Sequence, residues 1–106
     1  MAAPTTDLRV VDDAAHSTFV LLVDGRPQGH AFYRVAGRLV VFTHTEVDPS
    51  QRGRGVANEL AHQALEQVRA SGRRVVPVCP FIAAYVRRHP EYADLVSARS
   101  RSPRPR

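Results

Sequence analysis

Two arginines and two glycines alternate in Arg52-Gly53-Arg54-Gly55, inside the stretch HTEVDPSQRGRGVANEL that runs from His44 to Leu60. Glycine has no β-carbon, so a ligand can lie close against the backbone, and arginine adds charge and forked donors. The first amides of a helix lack internal partners, and the helix dipole places partial positive charge beside them. A loop of this composition feeding a helix therefore points to a cradle for an anion such as a diphosphate. The competing reading is a solvated turn whose glycines serve only its geometry. Neither common phosphate motif is present: there is no G-x-x-x-x-G-K-[ST], and Val56-Ala57-Asn58 replaces the third glycine of a dinucleotide fingerprint. Cys79 is the only thiol; such a residue is either a nucleophile or proton donor or a small buried hydrophobe. His44 and Glu46, two residues apart, share one face if they lie on a strand, and either could accept a proton directly or through water. His16, His30, His44, His62 and His89 are dispersed without ligand-like spacing, which argues against a metal site. No serine has the tight-turn setting a Ser-His-Asp nucleophile needs.

These residues need elements to position them. Leu8–Asp12 reads as a short edge strand. Thr18–Val23 is rich in β-branched and aromatic residues and stops at Asp24-Gly25, a turn signal that Pro27 and Gly29 extend. His30–Val35 reads as the returning strand, Ala36-Gly37 as the next turn, and Arg38–Val47 as a long fourth strand. The period then changes. Val56, Leu60, Ala64 and Val68 recur every four residues with Ala57, Ala61 and Leu65 beside them, which predicts a helix with one buried stripe. Gly72 is placed to end it. Arg73–Cys79 reads as a fifth strand whose proline costs it one ladder bond, and Phe81–Arg88 as a shorter helix ending before His89-Pro90. The expected fold class is α+β: an antiparallel meander with the long helix packed on one face.

With 106 residues the chain makes one domain, expected over residues 8–96, with a flexible N-terminus at 1–7. Its charge is unevenly placed. Of fifteen basic residues, all arginine, four stand in the last ten positions without an acid; the preceding residues hold eleven arginines against ten acids. Residues 97–106, rich in arginine, serine and proline, are expected to be a disordered tail. A nucleic-acid partner would be held weakly, through that tail. No apolar run reaches the roughly 18 residues of a membrane helix, and residues 1–7 lack the pattern of a secretion signal. The unpaired cysteine agrees with a reducing compartment, so a cytoplasmic location is the expectation.

Arg52-Gly53-Arg54-Gly55-Val56-Ala57 resembles the R/Q-x-x-G-x-G/A signature of the GNAT superfamily of acetyl-CoA-dependent N-acetyltransferases. Taken with VCPFIAAYVRRHP, the stretch HTEV…RGRGVA is similar to the very small Yjdj-type N-acetyltransferase domain, over about Val20 to Tyr92. The resemblance implies a minimal GNAT-like fold. It implies that Val47 on the fourth strand offers backbone groups to the pantetheine arm of acetyl-CoA and that Arg52, Gly53, Arg54, Gly55, Val56 and Ala57 hold its pyrophosphate. It also implies that strands four and five splay apart, with the thioester between them near Cys79. Cys79 would then be an acyl-accepting nucleophile or a proton donor to the leaving sulfur, and Glu46 or His44 would take the proton of the amine. Tyr85 stands in the helix where larger members place a tyrosine beside the departing thiolate. The chain is too short for the N-terminal helical pair of larger members, and His89-Pro90-Glu91-Tyr92 stands where they carry a Gly-Phe pair. An open acceptor side follows, which fits an amine on a protein, a lysine or an N-terminus. The alternative is a non-catalytic module that binds CoA or acyl-CoA as a sensor or interaction partner.

Overall fold

The computed structural model describes residues 7–97; the expectations for the remaining N-terminal and tail residues fall outside them. Five strands form one sheet in the order β1-β2-β3-β4-β5: Leu8–Asp13, Thr18–Val23, Arg26–Ala36, Leu39–Val47 and Arg74–Pro77. The first four pair antiparallel, and β5 lies parallel to β4. That parallel step requires a crossover, which is supplied by helix α1, Val56–Ala70; helix α2, Pro80–Arg88, follows β5.

The core lies between one face of the sheet and both helices. Alternate strand residues Phe19, Leu21, Ala31, Tyr33, Val40 and Phe42 meet Leu60, Ala61, Ala64, Leu65 and Val68 of α1 and Ile82 and Tyr85 of α2. This is the helical stripe expected from the four-residue period. Gly72 ends it in the left-handed region, at φ 79°, with its amide on the Arg69 carbonyl. Two glutamines of α1 also take up the backbone of β1: Gln63 Oε1 accepts from the Val10 amide, while Gln63 and Gln67 donate to the carbonyls of Leu8 and Val10. Side-chain amides thus occupy groups of an edge strand that would otherwise be open to another chain.

The third strand starts four residues earlier than the sequence implies. Asp24 and Gly25, both at positive φ, close the hairpin by themselves. Pro27 and Gly29 belong to β3, with Gln28 as the extra residue of a bulge. Gly29 serves packing: a β-carbon there would stand 3.2 Å from the Glu46 carbonyl oxygen and 3.4 Å from Leu21 Cβ. The fifth strand is shorter than expected. It ends at Pro77, and Cys79 occupies the N-cap of α2 with Pro80 in the first turn. Proline has no amide to continue a ladder but suits the first helical turn, so Pro77 and Pro80 bracket the change of element.

Residues after α2 are packed to an extent the sequence reading did not foresee. Tyr92 is 1% exposed, and its hydroxyl bonds Glu66 Oε2 at 2.6 Å and His62 Nδ1 at 2.9 Å. Val96 bridges to Val75, and the buried Ser97 donates its amide to the Val75 carbonyl at 2.8 Å. Ser97 therefore belongs to the folded body rather than to the tail. Asp7 is likewise tied in, its amide donating to Asp24 Oδ1. Among the described residues no helix is long and apolar enough to cross a membrane.

Candidate active site

The site is built where β4 outruns β5. Their pairing stops at Phe42 and Pro77, after which the Cys79 amide donates to the Phe42 carbonyl at 2.8 Å and the chain turns into α2. Thr43 to Val47 then continue with β3 on one side and no strand on the other. A bulge accompanies the divergence: Tyr33 faces Phe42 and Phe32 faces His44, so Thr43 is an extra residue. It reverses the alternation. Val40 and Phe42 point into the core, and strict period-two order would send His44 and Glu46 after them. Instead His44 and Glu46 are exposed on the outer face, hydrogen-bonded to each other at 3.0 Å, while Thr45 and Val47 turn toward the helices.

Thr45 is the residue the sequence reading missed. Its Oγ1 lies 3.3 Å from Cys79 Sγ, and Cys79 is 2% exposed. His44 and Glu46 do share a face, but Cys79 lies on the other, with Thr45 between. The four are brought to one stretch of β4 without forming one cluster. Only the bulge decides which side each takes, and no residue type at Thr43 announces it.

Past Val47, Asp48 accepts from the Ser50 amide at 2.9 Å and starts a 3-10 turn, Pro49–Gln51. Hydrogen bonds from the Ser50 side chain and backbone hold its carboxyl below the usual aspartate range. Gly53 and Gly55 follow at φ 80° and 74°, with open space where a β-carbon would stand. Gly55 is the N-cap of α1 without any side-chain cap. The amides of Gly53, Gly55, Val56, Ala57 and Asn58 make no hydrogen bond among the described residues. Arg52 and Arg54 are exposed and form no ion pair among them. Left-handed glycines, free amides and two unpaired cations therefore meet at one helix N-terminus.

This loop opens into a cleft of about 400 Å³. Val47, Arg52, Gly53, Gly55, Val56 and Ala57 line it, joined by Thr45, Gln51, Asn58 and Phe81. Arg54 stands outside the lining, and so does Tyr85. Tyr85 packs in the core with its ring stacked on His89 at 3.9 Å, and its hydroxyl makes no hydrogen bond among the described residues. Burial foremost, then the charges of Glu91, Glu59 and Glu66, pushes its ionisation above the usual tyrosine range. Gln51 Oε1 is buried without a partner among the described residues, an unpaired acceptor beside a row of donors. Among those residues no group of three or more histidine, cysteine, aspartate and glutamate side chains is placed to hold a metal.

Comparison with known proteins decides the family. The family model for GCN5-related N-acetyl-transferases matches residues 18–95, from the start of β2 to the packed segment after α2. The chain belongs to the GCN5-related N-acetyl-transferase family. Protein NATD1 of Homo sapiens is 33% identical over 85 residues, covering 78% of this chain and 75% of its own length. Protein NATD1 of Xenopus tropicalis is 30% identical over 89 residues, covering 82% of each. The α+β architecture, with its long helix after the fourth strand, is the minimal form of this family's fold.

Proposed function

We propose that this family member transfers the acetyl group of acetyl-CoA to an amine, the acceptor being a lysine side chain or N-terminus of a protein. One observation carries the reading: free amides around two left-handed glycines open into a cleft that also contains Thr45, the partner of the Cys79 sulfur. The chain's own residues fit the cosubstrate. A diphosphate needs several donors and positive charge at close range, which the amides of Gly53, Gly55, Val56, Ala57 and Asn58 and the side chains of Arg52 and Arg54 supply. The pantetheine arm needs an extended backbone with free groups, and β4 beyond Phe42 has no strand on its β5 side.

When bound, acetyl-CoA supplies an activated acyl carbon and a thiolate leaving group. Amide formation from a protonated amine releases one proton and leaves the free thiol of CoA. Glu46 and His44 are the acceptors for the amine's protons, and His44, 60% exposed in its side chain, passes one to solvent. Cys79, held by Thr45, either supplies the proton that the departing sulfur takes or carries the acyl group in transit. Tyr85 lies in α2, the helix that Cys79 caps, but packs in the core outside the cleft lining, so it takes no part in this step.

The separation of Cys79 from Glu46 by the strand also favours a second reading, a CoA-binding module without turnover. A thiol-release assay with acetyl-CoA and a panel of lysine peptides distinguishes them. Acceptor-dependent release of CoA supports the transferase; stabilisation by CoA without release on any amine supports the module.

A further inference from the structure

We infer that the acceptor reaches this site as an ammonium on a methylene chain and docks on the outer face of the sheet, against His30, Phe32, His44 and Glu46. The inference rests on the transferase reading and goes beyond it by giving the acceptor a place and a charge.

Two cross-strand pairs, His30 with Glu46 and Phe32 with His44, make a four-residue patch on that face. Its rings are ordered in a row: His30 and Phe32 lie 5.6 Å apart at 15°, Phe32 and His44 6.2 Å apart at 12°. Both helices pack on the opposite face, so neither covers the patch. A hollow of about 570 Å³ begins there, lined by Gly29, His30, Thr45, Glu46, Val47 and Asp48 among others. It shares Thr45, Val47 and Asp48 with the cofactor cleft, so the end of β4 is the partition between the two.

The lining selects one sign of charge. Glu46 and Asp48 have no arginine paired to them among the described residues, and Glu46 Oε1 accepts no hydrogen bond there. A cation is attracted both by carboxylates and by aromatic faces, whereas an anion is repelled by both. Phe32, half-buried, gives a methylene stem an apolar surface while the charged head stays beside Glu46. Glu46 then takes one proton from the ammonium, becoming the neutral acid and leaving the neutral amine at the Thr45 partition. His44 accepts that proton from Glu46 and returns it to water.

Amide-resolved NMR of the intact chain tests the site with three probes: N-acetyl-lysine amide, cadaverine and the uncharged N-acetyl-norleucine amide. The ammonium probes are expected to shift residues 30, 32, 44 and 46, and the norleucine probe is not. A response to the lysine probe alone identifies a peptidyl acceptor, and one to cadaverine alone identifies a polyamine. Glu46→Gln, a substitution at an exposed side chain, weakens the lysine probe about two- to fivefold while leaving CoA affinity unchanged, as loss of a solvent-exposed ionic contact requires. Equal response to the norleucine probe, shifts confined to other faces, or an unaffected Glu46→Gln variant overturns the proposal. A separate titration with CoA, read at residues 53–57, keeps the two readings apart: silence there with the lysine shifts intact defeats the transferase and spares the ammonium site.

Discussion

Gly55→Ala separates a backbone cradle from a merely flexible turn, and Gly25→Ala is its matched control. Both glycines sit at positive φ, 74° and 83°, and both have open space where the new methyl group would stand. Neither substitution creates a clash, so the folding cost is the left-handed backbone penalty of roughly 1–2 kcal/mol, offset by about 0.4–1 kcal/mol from a stiffer unfolded chain. A net loss of about 1 kcal/mol lowers Tm by roughly 4–8 °C in a domain of this size. The two variants should therefore melt alike. They should differ in ligand binding. Relaxing residue 55 toward negative φ turns its amide and reorients the start of α1, where the amides of Gly53, Gly55, Val56, Ala57 and Asn58 converge; Gly25 lies in the β2–β3 hairpin and makes no hydrogen bond with that loop among the described residues. Losing one or two charge-assisted hydrogen bonds, about 1.5–3 kcal/mol each, weakens CoA about tenfold or more. Calorimetric titration of both variants with CoA, beside their melting curves, is the assay. Equal CoA affinity in the two, at equal Tm, would refute the assignment of the donors to this loop.

Replacing Cys79 with alanine should leave CoA affinity unchanged and slow acetyl transfer at least about tenfold, as loss of a proton-transfer or nucleophilic group does; unchanged turnover in the folded variant makes the thiol structural. Burial foremost, then the hydrogen bond and charge of Asp12, pushes Tyr33 up to about 12, and Tyr85 and Tyr92 are also raised, chiefly by burial. Their stabilising contribution is complete below about pH 10, the ordinary tyrosine value, and is lost as pH rises through the folded values. Tyrosinate absorbance should accordingly stay low through pH 10 and rise together with loss of the fold; independent ionisation near pH 10 contradicts the burial. Gln51→Met removes the unpartnered Oε1 with little change of volume and should stabilise the protein by about 1 kcal/mol in urea unfolding; destabilisation would mean that the carbonyl is engaged. Deleting Thr43 removes the extra residue while Phe42 stays opposite Tyr33 and His44 opposite Phe32, so His44 and Glu46 should remain on the outer face and the circular-dichroism signature of the fold should persist; a variant that fails to fold would show that the bulge does more than set which side these residues take.

Signals that are local in the chain were the legible ones. The four-residue stripe from Val56 to Val68 forms α1 as expected, and the alternating Arg52–Gly55 segment lies at its N-terminus because glycine and arginine act on their own backbone neighbourhood. The start of β3 was misplaced because Pro27 and Gly29 carry the same letters whether they make a turn, a bulge or a close approach; only the contact with Leu21 and Glu46 separates these. The Thr45–Cys79 contact joins residues 34 apart and depends on a one-residue register shift. No period runs through the residues after α2, so their packing had no signal in the sequence; Tyr92 is fixed by Glu66 and His62 of α1, and the Leu95 carbonyl accepts from the Val75 amide of β5, both from distant parts of the chain.

The account stands most directly on one titration: coenzyme A added to the intact, folded chain in a calorimeter. One site per chain, weakened by Gly55→Ala and indifferent to Gly25→Ala, is the predicted result. Absence of binding at millimolar coenzyme A would contradict the cradle and the acetyl transfer built upon it.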